Sequence, residues 1–435
     1  MKYKNTLFYS NNKEVKFNFS GEGISSDGSV VLVKKIERTN KIIRKFSSVL
    51  VDKRNKSYCD HSLDKMIFQR VLLLIQGYCD CNDSKYLAND PIIKTVLNGN
   101  LASQPTLSRL ENSISIKDIY RLSDYLVDSY IDSIASNRKK IVIDVDGTDD
   151  ETHGNQQLSM FNGYYNQTMY HILVFHDGET GQLILPVLRA GSCHSNKLFV
   201  PILSRIVAKI KSRRPELKIT IRGDCGFSCP PFYALADETQ LDFCLGITTN
   251  ERLKIHSQPL EARIKEEYVS KGVKHQEFVE GFSYKSDSWS SPQTCYAKVE
   301  STGKGLNVRY FCSNMEAEDA KSLYKDFYVK RGDSSENRIK EFKNMCYGDR
   351  LSCHRFAANY FRLLLSSLCY EFYRQIKLLI LRSSNEQAKK WQIDNIRLYL
   401  MKVGATIESK AKSIIINLSK SYICQELFIE IVQLC

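Results

Sequence analysis

The sequence predicts an α/β protein: a mostly helical N-terminal region, a mixed sheet core interrupted by a β-rich insertion, and a helical and mixed C-terminal extension. Three observations predict it. Helical spacing dominates roughly the first 135 residues, alternation of period two begins at Lys139, and two strand-like runs lie in a polar stretch before helical spacing resumes.

A chain of 435 residues fits two or three domains. Its 43% hydrophobic and 26% charged content is that of a folded chain rather than a disordered one. No apolar run reaches the ~18–20 residues a membrane span needs. The opening Met1-Lys2-Tyr3-Lys4-Asn5 leads into polar residues without a signal-like apolar stretch, so a cytoplasmic, nucleoid-associated location is expected. The fourteen cysteines read as reduced thiols, because Cys79-Asp80-Cys81 and Cys225 with Cys229 lack the paired spacing of a zinc site. A net charge of +13 points to a polyanionic partner, since each cation placed on a phosphate releases a counterion.

Residues 34–56 concentrate base, with Ile36, Ile42, Ile43 and Phe46 interleaved among Lys34, Lys35, Arg38, Lys41, Arg44 and Lys45. An apolar helix is predicted over 62–77, and Ser103-Gln104-Pro105 opens another. A helical DNA-binding region and a plain bundle with a basic face both fit. Strands follow at 141–146, 169–175 and 183–188, then a helix at 196–211, a strand at 217–222, a short helix at 232–236 and a strand at 243–248. The polar stretch 250–314 carries strand-like runs at 295–299 and 306–312, and helical spacing returns from 317 through 333–345 and 355–381. The tail holds a strand candidate at 413–418. The division is 1–138, an end-binding region; 139–249, the first part of the core; 250–314, the insertion; 315–382, completion of the core; and 383–435, the extension.

Three strands, helix, strand, helix, strand and a closing helix is the order of a ribonuclease H-like domain, a scaffold for two-metal phosphoryl transfer. Its acids are expected at strand ends: Asp146 after the first strand, Asp224 after the fourth, and Glu336 on the helix beyond the insertion. Two Mg²⁺ or Mn²⁺ ions take hard oxygen ligands, and they relieve the repulsion among closely set carboxylates. Alternation puts Asp144 on the same face as Asp146, which makes it the rival ligand. Asp333-Ser334-Ser335-Glu336 also has the form of a helix capping box, but Lys340 and Lys343 share the helical face of Glu336, as a phosphate-binding edge would need.

With the acids placed, a resemblance becomes specific. Asp144-Val145-Asp146-Gly147-Thr148 with His153-Gly154 and Phe161-Asn162-Gly163-Tyr164-Tyr165 resembles the first catalytic block of DDE transposases (DDE domain group 1) from bacterial insertion sequences, most nearly the insertion sequence 1380-like group. Arg222-Gly223-Asp224-Cys225-Gly226 resembles the second block. Tyr328, Arg331, Glu336 and Lys343 resemble a Tyr-Arg-Glu-Lys third block, with four residues rather than three between the Arg and the Glu. The resemblance implies a metal-dependent endonuclease and strand transferase that cuts the terminal inverted repeats of its own element, joins them to target double-stranded DNA, and works as a synaptic homodimer. It implies that Tyr328, Arg331, Lys340, Lys343 and Arg222 face DNA, and that Trp289 stacks on a displaced base or else covers the insertion's core. A catalytically silent DNA-binding relative and another metal nuclease on the same scaffold are the alternatives.

Overall fold

The computed structural model describes residues 6–271, 276–332 and 336–435. A hairpin of β1 (Thr6–Ser10) and β2 (Lys13–Lys16) precedes the short β3 (Ile24–Ser25). Helices α1 (Val30–Asn40), α2 (Ile42–Ser48), α3 (Leu63–Gln76), α4 (Pro91–Val96), α5 (Gln104–Ser113) and α6 (Ile116–Ser133) follow. Their ends are set by local chemistry. Asp90 accepts from the N–H groups of Ile92 and Ile93 ahead of Pro91, Ser115 and Asp118 close a capping box, and Gly77 ends α3 with φ 92.

The central sheet starts with β4 (Lys140–Glu151), β5 (Met160–Asn162), β6 (Gln167–Asp177) and β7 (Leu183–Ala190). After α7 (Phe199–Arg213) come β8 (Lys218–Gly223), α8 (Pro230–Thr239) and β9 (Asp242–Ile247). Strand β4 pairs antiparallel with β6 and parallel with β8, which pairs parallel with β9. The first strand is longer than the pattern suggested. Its parallel partner stops at Gly223, opposite Val145, but pairing with β6 carries β4 on to Glu151. Asp146 therefore lies inside a strand, one residue past the point where the parallel ladder ends.

The stretch 250–314 departs most from expectation. It opens with a helix, α9 (Glu251–Lys271), and contributes three strands rather than two: β10 (Glu277–Tyr284), β11 (Gln293–Thr302) and β12 (Gly305–Ser313). These strands continue the main sheet, because β12 pairs antiparallel with β9 and gives the order β10-β11-β12-β9-β8-β4-β6-β5, with β7 also on β6. The helix was hidden by its polar composition. Leu253, Leu260 and Ile264 are its buried apolar anchors, and Pro259 interrupts the pattern.

Beyond the sheet the chain winds through α10 (Ala320–Ser322), a π-helical stretch (Leu323–Tyr328), α11 (Asn337–Lys340) and a second π-helical stretch (Glu341–Met345). The 27-residue α12 (Phe356–Arg382) follows. Last come α13 (Ile393–Asn395), β13 (Ala405–Ser409), β14 (Ile414–Leu418) and α14 (Gln425–Leu434). Strand β13 pairs with β14 and with β3 from the opposite end of the chain.

Two cores flank the sheet. On one face Ile172, Val174 and Leu188 pack with α12 and the N-terminal helices; on the other Ile143, Val145, Leu173 and Phe175 pack with α7 and α8. The N-terminal helices and α12 thus share one hydrophobic core. Asp144 and Asp146 belong to the α12 face, as the alternation of β4 requires.

Candidate active site

The parallel register of β4 and β8 builds the centre of the site. Ile143 lies opposite Ile221, Asp144 opposite Arg222 and Val145 opposite Gly223, so the next residues, Asp146 within β4 and Asp224 just past β8, stand side by side. Asp224 caps a short 3₁₀ turn (Cys225–Phe227) and accepts from Gly226 N–H at 2.7 Å. Across from them, α11 and the second π-helical stretch bring Glu336, Lys340 and Lys343. An open cleft of about 440 Å³ is lined by Asp146, Gly147, Asp224, Arg331, Glu336, Ile339, Lys340, Lys343 and Asn344. The three sequence-predicted acids thus face one space, together with three of the predicted phosphate-binding cations. π-turns recur where helices carry functional groups, and two of them flank this segment.

Electrostatics distinguish the acids. Burial pushes the Asp146 carboxyl up to about 6 despite the opposing charge of Arg331, and Asp224 adds to the rise. Arg331 Nη1 stands 3.0 Å from Asp146 Oδ2, and Gly147 N–H donates to Oδ1 at 2.9 Å. The extra residue before Glu336 therefore does not keep Arg331 out of the cleft. The proposed capping residues Asp333, Ser334 and Ser335 lie outside the described residues; Glu336 itself is exposed. Lys343 Nζ reaches Asp149 Oδ1 at 2.9 Å. Among the described residues, no three His, Cys, Asp or Glu side chains stand close enough to share an ion. The carboxylates face one cleft, and the Arg331 guanidinium occupies the near side of Asp146.

Four sequence-predicted site residues stand outside the lining of this cleft. Asp144 is only 1% exposed and forms a bidentate pair with Arg222, Nε to Oδ1 at 2.6 Å and Nη2 to Oδ2 at 2.8 Å. Its oxygens are spent on guanidinium, which removes it as the rival to Asp146. The same pair takes Arg222 away from DNA: that side chain is buried, and Nη1 donates to the Phe327 carbonyl at 2.7 Å. Trp289 is 8% exposed and packs against Tyr233 and Tyr284 at ring-centroid distances of 4.8 and 5.5 Å, so it fills a core and presents no face to a base. Tyr328 does not line the cleft. It stacks on Phe311 at 5.4 Å beside Tyr324, and burial raises its hydroxyl pKa.

Sequence reasoning missed a second layer around the cleft. His171 lies opposite Asp149 in the β4–β6 register, is buried, and bonds through Nδ1 to the Cys193 carbonyl at 2.9 Å. Burial, with Arg189 nearby, lowers its pKa to about 4, so the ring is neutral. Asp150 is 1% exposed, and its Oδ2 has no hydrogen-bond partner among the described residues. Burial, reinforced by Asp349, raises it to about 8. The run Asp149-Asp150 reads as a solvated turn only while the first strand is taken to end at 146; the antiparallel extension of β4 is what buries Asp150.

Three carboxylates and three cations facing one cleft suit the handling of phosphodiesters. The chain belongs to the transposase DDE domain group 1 family, whose model matches residues 8–434. Among solved structures it is similar to a piggyBac transposase in a synaptic complex with hairpin DNA, determined by cryo-electron microscopy. Identity there is 14%, the TM-score is 0.43, and the match covers 87% of this chain and 80% of that one. No curated protein matches the chain. Among the described residues no helix is long and apolar enough to cross a membrane.

Proposed function

We propose that this transposase cleaves the ends of its own insertion sequence and joins the freed 3′ hydroxyls to target DNA, with Asp146, Asp224 and Glu336 as the acids of a two-metal site. The observation that carries the reading is the single cleft in which these residues, 78 and 112 positions apart in sequence, meet Arg331, Lys340 and Lys343. The order β7-β6-β4-β8-β9, antiparallel through β4 and parallel beyond it, supports reading the core as ribonuclease H-like with β10–β12 as its insertion. The His-Gly at 153–154 supports a place in the insertion sequence 1380-like group.

The donor set suits Mg²⁺ or Mn²⁺, since all three candidate ligands are hard carboxylate oxygens. Asp146 has a raised pKa beside Asp224, and a cation there offsets the repulsion. Bound ions would activate the attacking hydroxyl and offset charge on the leaving oxygen. With Asp146 holding a metal ion, Arg331 would be released from its pairing with that carboxylate and could bind a DNA phosphate beside Lys340 and Lys343. The net charge of +13 holds the duplex to the protein, and two copies bring two element ends together.

The test is incubation of the protein with Mg²⁺ and a duplex carrying an element end. Nicking at the end followed by strand-transfer products is expected, and Asp224→Asn should reduce both to background while leaving end binding intact. Binding without cleavage by the parent protein would show a silent DNA-binding relative, nicking without transfer another nuclease, and normal cutting by the variant a misassigned site.

A further inference from the structure

The hairpin of β5 and β6 carries two exposed aromatic residues that neither the cores nor the acid cleft uses. Phe161, within β5, is 60% exposed, and Tyr164 is 89% exposed in the adjoining turn, where Gly163 and Asn166 supply the turn chemistry. The turn is fixed from beneath. Asn162 is buried, donates through Nδ2 to the Gly191 carbonyl at 2.6 Å, and accepts through Oδ1 from the N–H groups of Tyr164 at 3.0 Å and Tyr165 at 3.4 Å. Asn166 completes the reversal with φ 54. A Cβ on Gly163 would meet nothing within 4 Å, so the outer side of the tip is open.

An aromatic relay connects this tip to the acids. Tyr164 meets Tyr165 edge-on at 5.0 Å, and Tyr165 meets His171 at 5.8 Å. His171 Nε2 lies 2.9 Å from where a Cβ on Gly147 would stand, and Gly147 lines the acid cleft beside Asp146. Burial and the charges of Asp149, Asp146 and Asp224 hold the Tyr165 hydroxyl up at about 12, so that ring stays neutral next to the carboxylates. A neutral aromatic wall thus runs from the cleft to an exposed, rigidly held edge.

We propose that Phe161 and Tyr164 form a stacking platform for an unpaired nucleobase of the DNA strand lying in the acid cleft. The proposal rests on the DNA-cleaving reading of that cleft. A base offers a π-face whatever its identity, so a platform of two rings without base-edge hydrogen bonding positions a strand without selecting sequence. A fixed turn is what such a platform needs, because the rings are held in place before the base arrives.

The test uses the full chain without metal and two probes: a fully paired duplex, and the same duplex with three unpaired nucleotides at one end, one of them 2-aminopurine. The parent protein should prefer the forked probe and change its fluorescence as the base stacks. The double variant Phe161→Ala with Tyr164→Ala should bind the forked probe about 5- to 150-fold more weakly, lose the fluorescence change, and bind the paired duplex as before. Replacing both residues with Trp should restore forked-probe affinity, which a loss of folding would not allow. Equal weakening on both probes, or no change on either, would overturn the platform. If the parent shows the stacking signal but cuts neither DNA once Mg²⁺ is added, the cleavage reading fails and the platform stands.

Discussion

Two clusters of charge in this chain use similar side chains to opposite ends. Around Glu111, which is 1% exposed, Arg70 Nε binds Oε1 at 2.9 Å, Arg362 Nε binds Oε2 at 2.7 Å, and Asp80 takes the other end of Arg362 at 3.0 Å. Burial alone would raise Glu111, but Arg70 and Arg362 outweigh it and keep the carboxyl below its ordinary range. In the acid cleft the balance goes the other way: burial wins at Asp146 in spite of Arg331. The first cluster joins α3, α5 and α12 with two acids and two cations paired off. The second holds carboxylates at a solvent-open mouth, where Asp224 accepts from the Gly226 backbone N–H. A buried charge answered by opposite charges belongs to the fold, and one left with capacity at a cleft is available for chemistry.

The sharpest way to break this comparison is Glu111→Gln. It leaves two buried guanidiniums short of charge and should cost about 3–5 kcal/mol of stability, read by denaturant unfolding. Asp224→Asn should stay within about 1 kcal/mol of the parent in the same experiment. Equal losses would erase the distinction between the clusters.

Asp150 gives the next effect. Its folded pKa of about 8 lies above its unfolded value of ~3.9, so the stability its protonated form allows is complete below pH ~4 and lost as pH rises through about 8. Asp150→Asn cannot lose that proton. The melting temperature of the variant should therefore gain on the parent steadily between pH 4 and 8, and a gap that ignores pH would show that burial does not raise this carboxyl. The smallest effect is expected at Arg331→Gln. With the cation gone, Asp146 should hold its proton to a higher pH, and the carboxyl signal of a labelled Asp146 should titrate above about 6. A downward move would mean that Arg331 is not the group holding that pKa down.

Much of this was legible in the chain because strand registers leave a trace. Ile143-Asp144-Val145-Asp146 and Ile221-Arg222-Gly223-Asp224 are matched strings, and the parallel ladder sets them level. The same match contained the fate of Asp144 and Arg222, which pair because they are opposite one another. Reading each strand singly hid this, since alternation gives the face of a side chain but not its partner. Trp289 stayed open between stacking and core for a related reason: its burial depends on Tyr233, from α8, a segment 56 positions earlier. Helix α9 escaped because three anchors in 21 residues leave almost no periodic signal.

The pairing of β3 with β13 has a consequence in time. Ser25 finds its partner at Ala405, 380 positions later, and Lys402 Nζ binds the fully buried Asp27. At a synthesis rate of roughly 5–20 residues per second, the earliest segment waits on the order of 20–80 s for the strand that covers it. During that interval the apolar faces of α1 and α3 have neither α12 nor the C-terminal hairpin to shelter them. The nascent N-terminal third thus carries apolar surface that only the last third of the chain can cover.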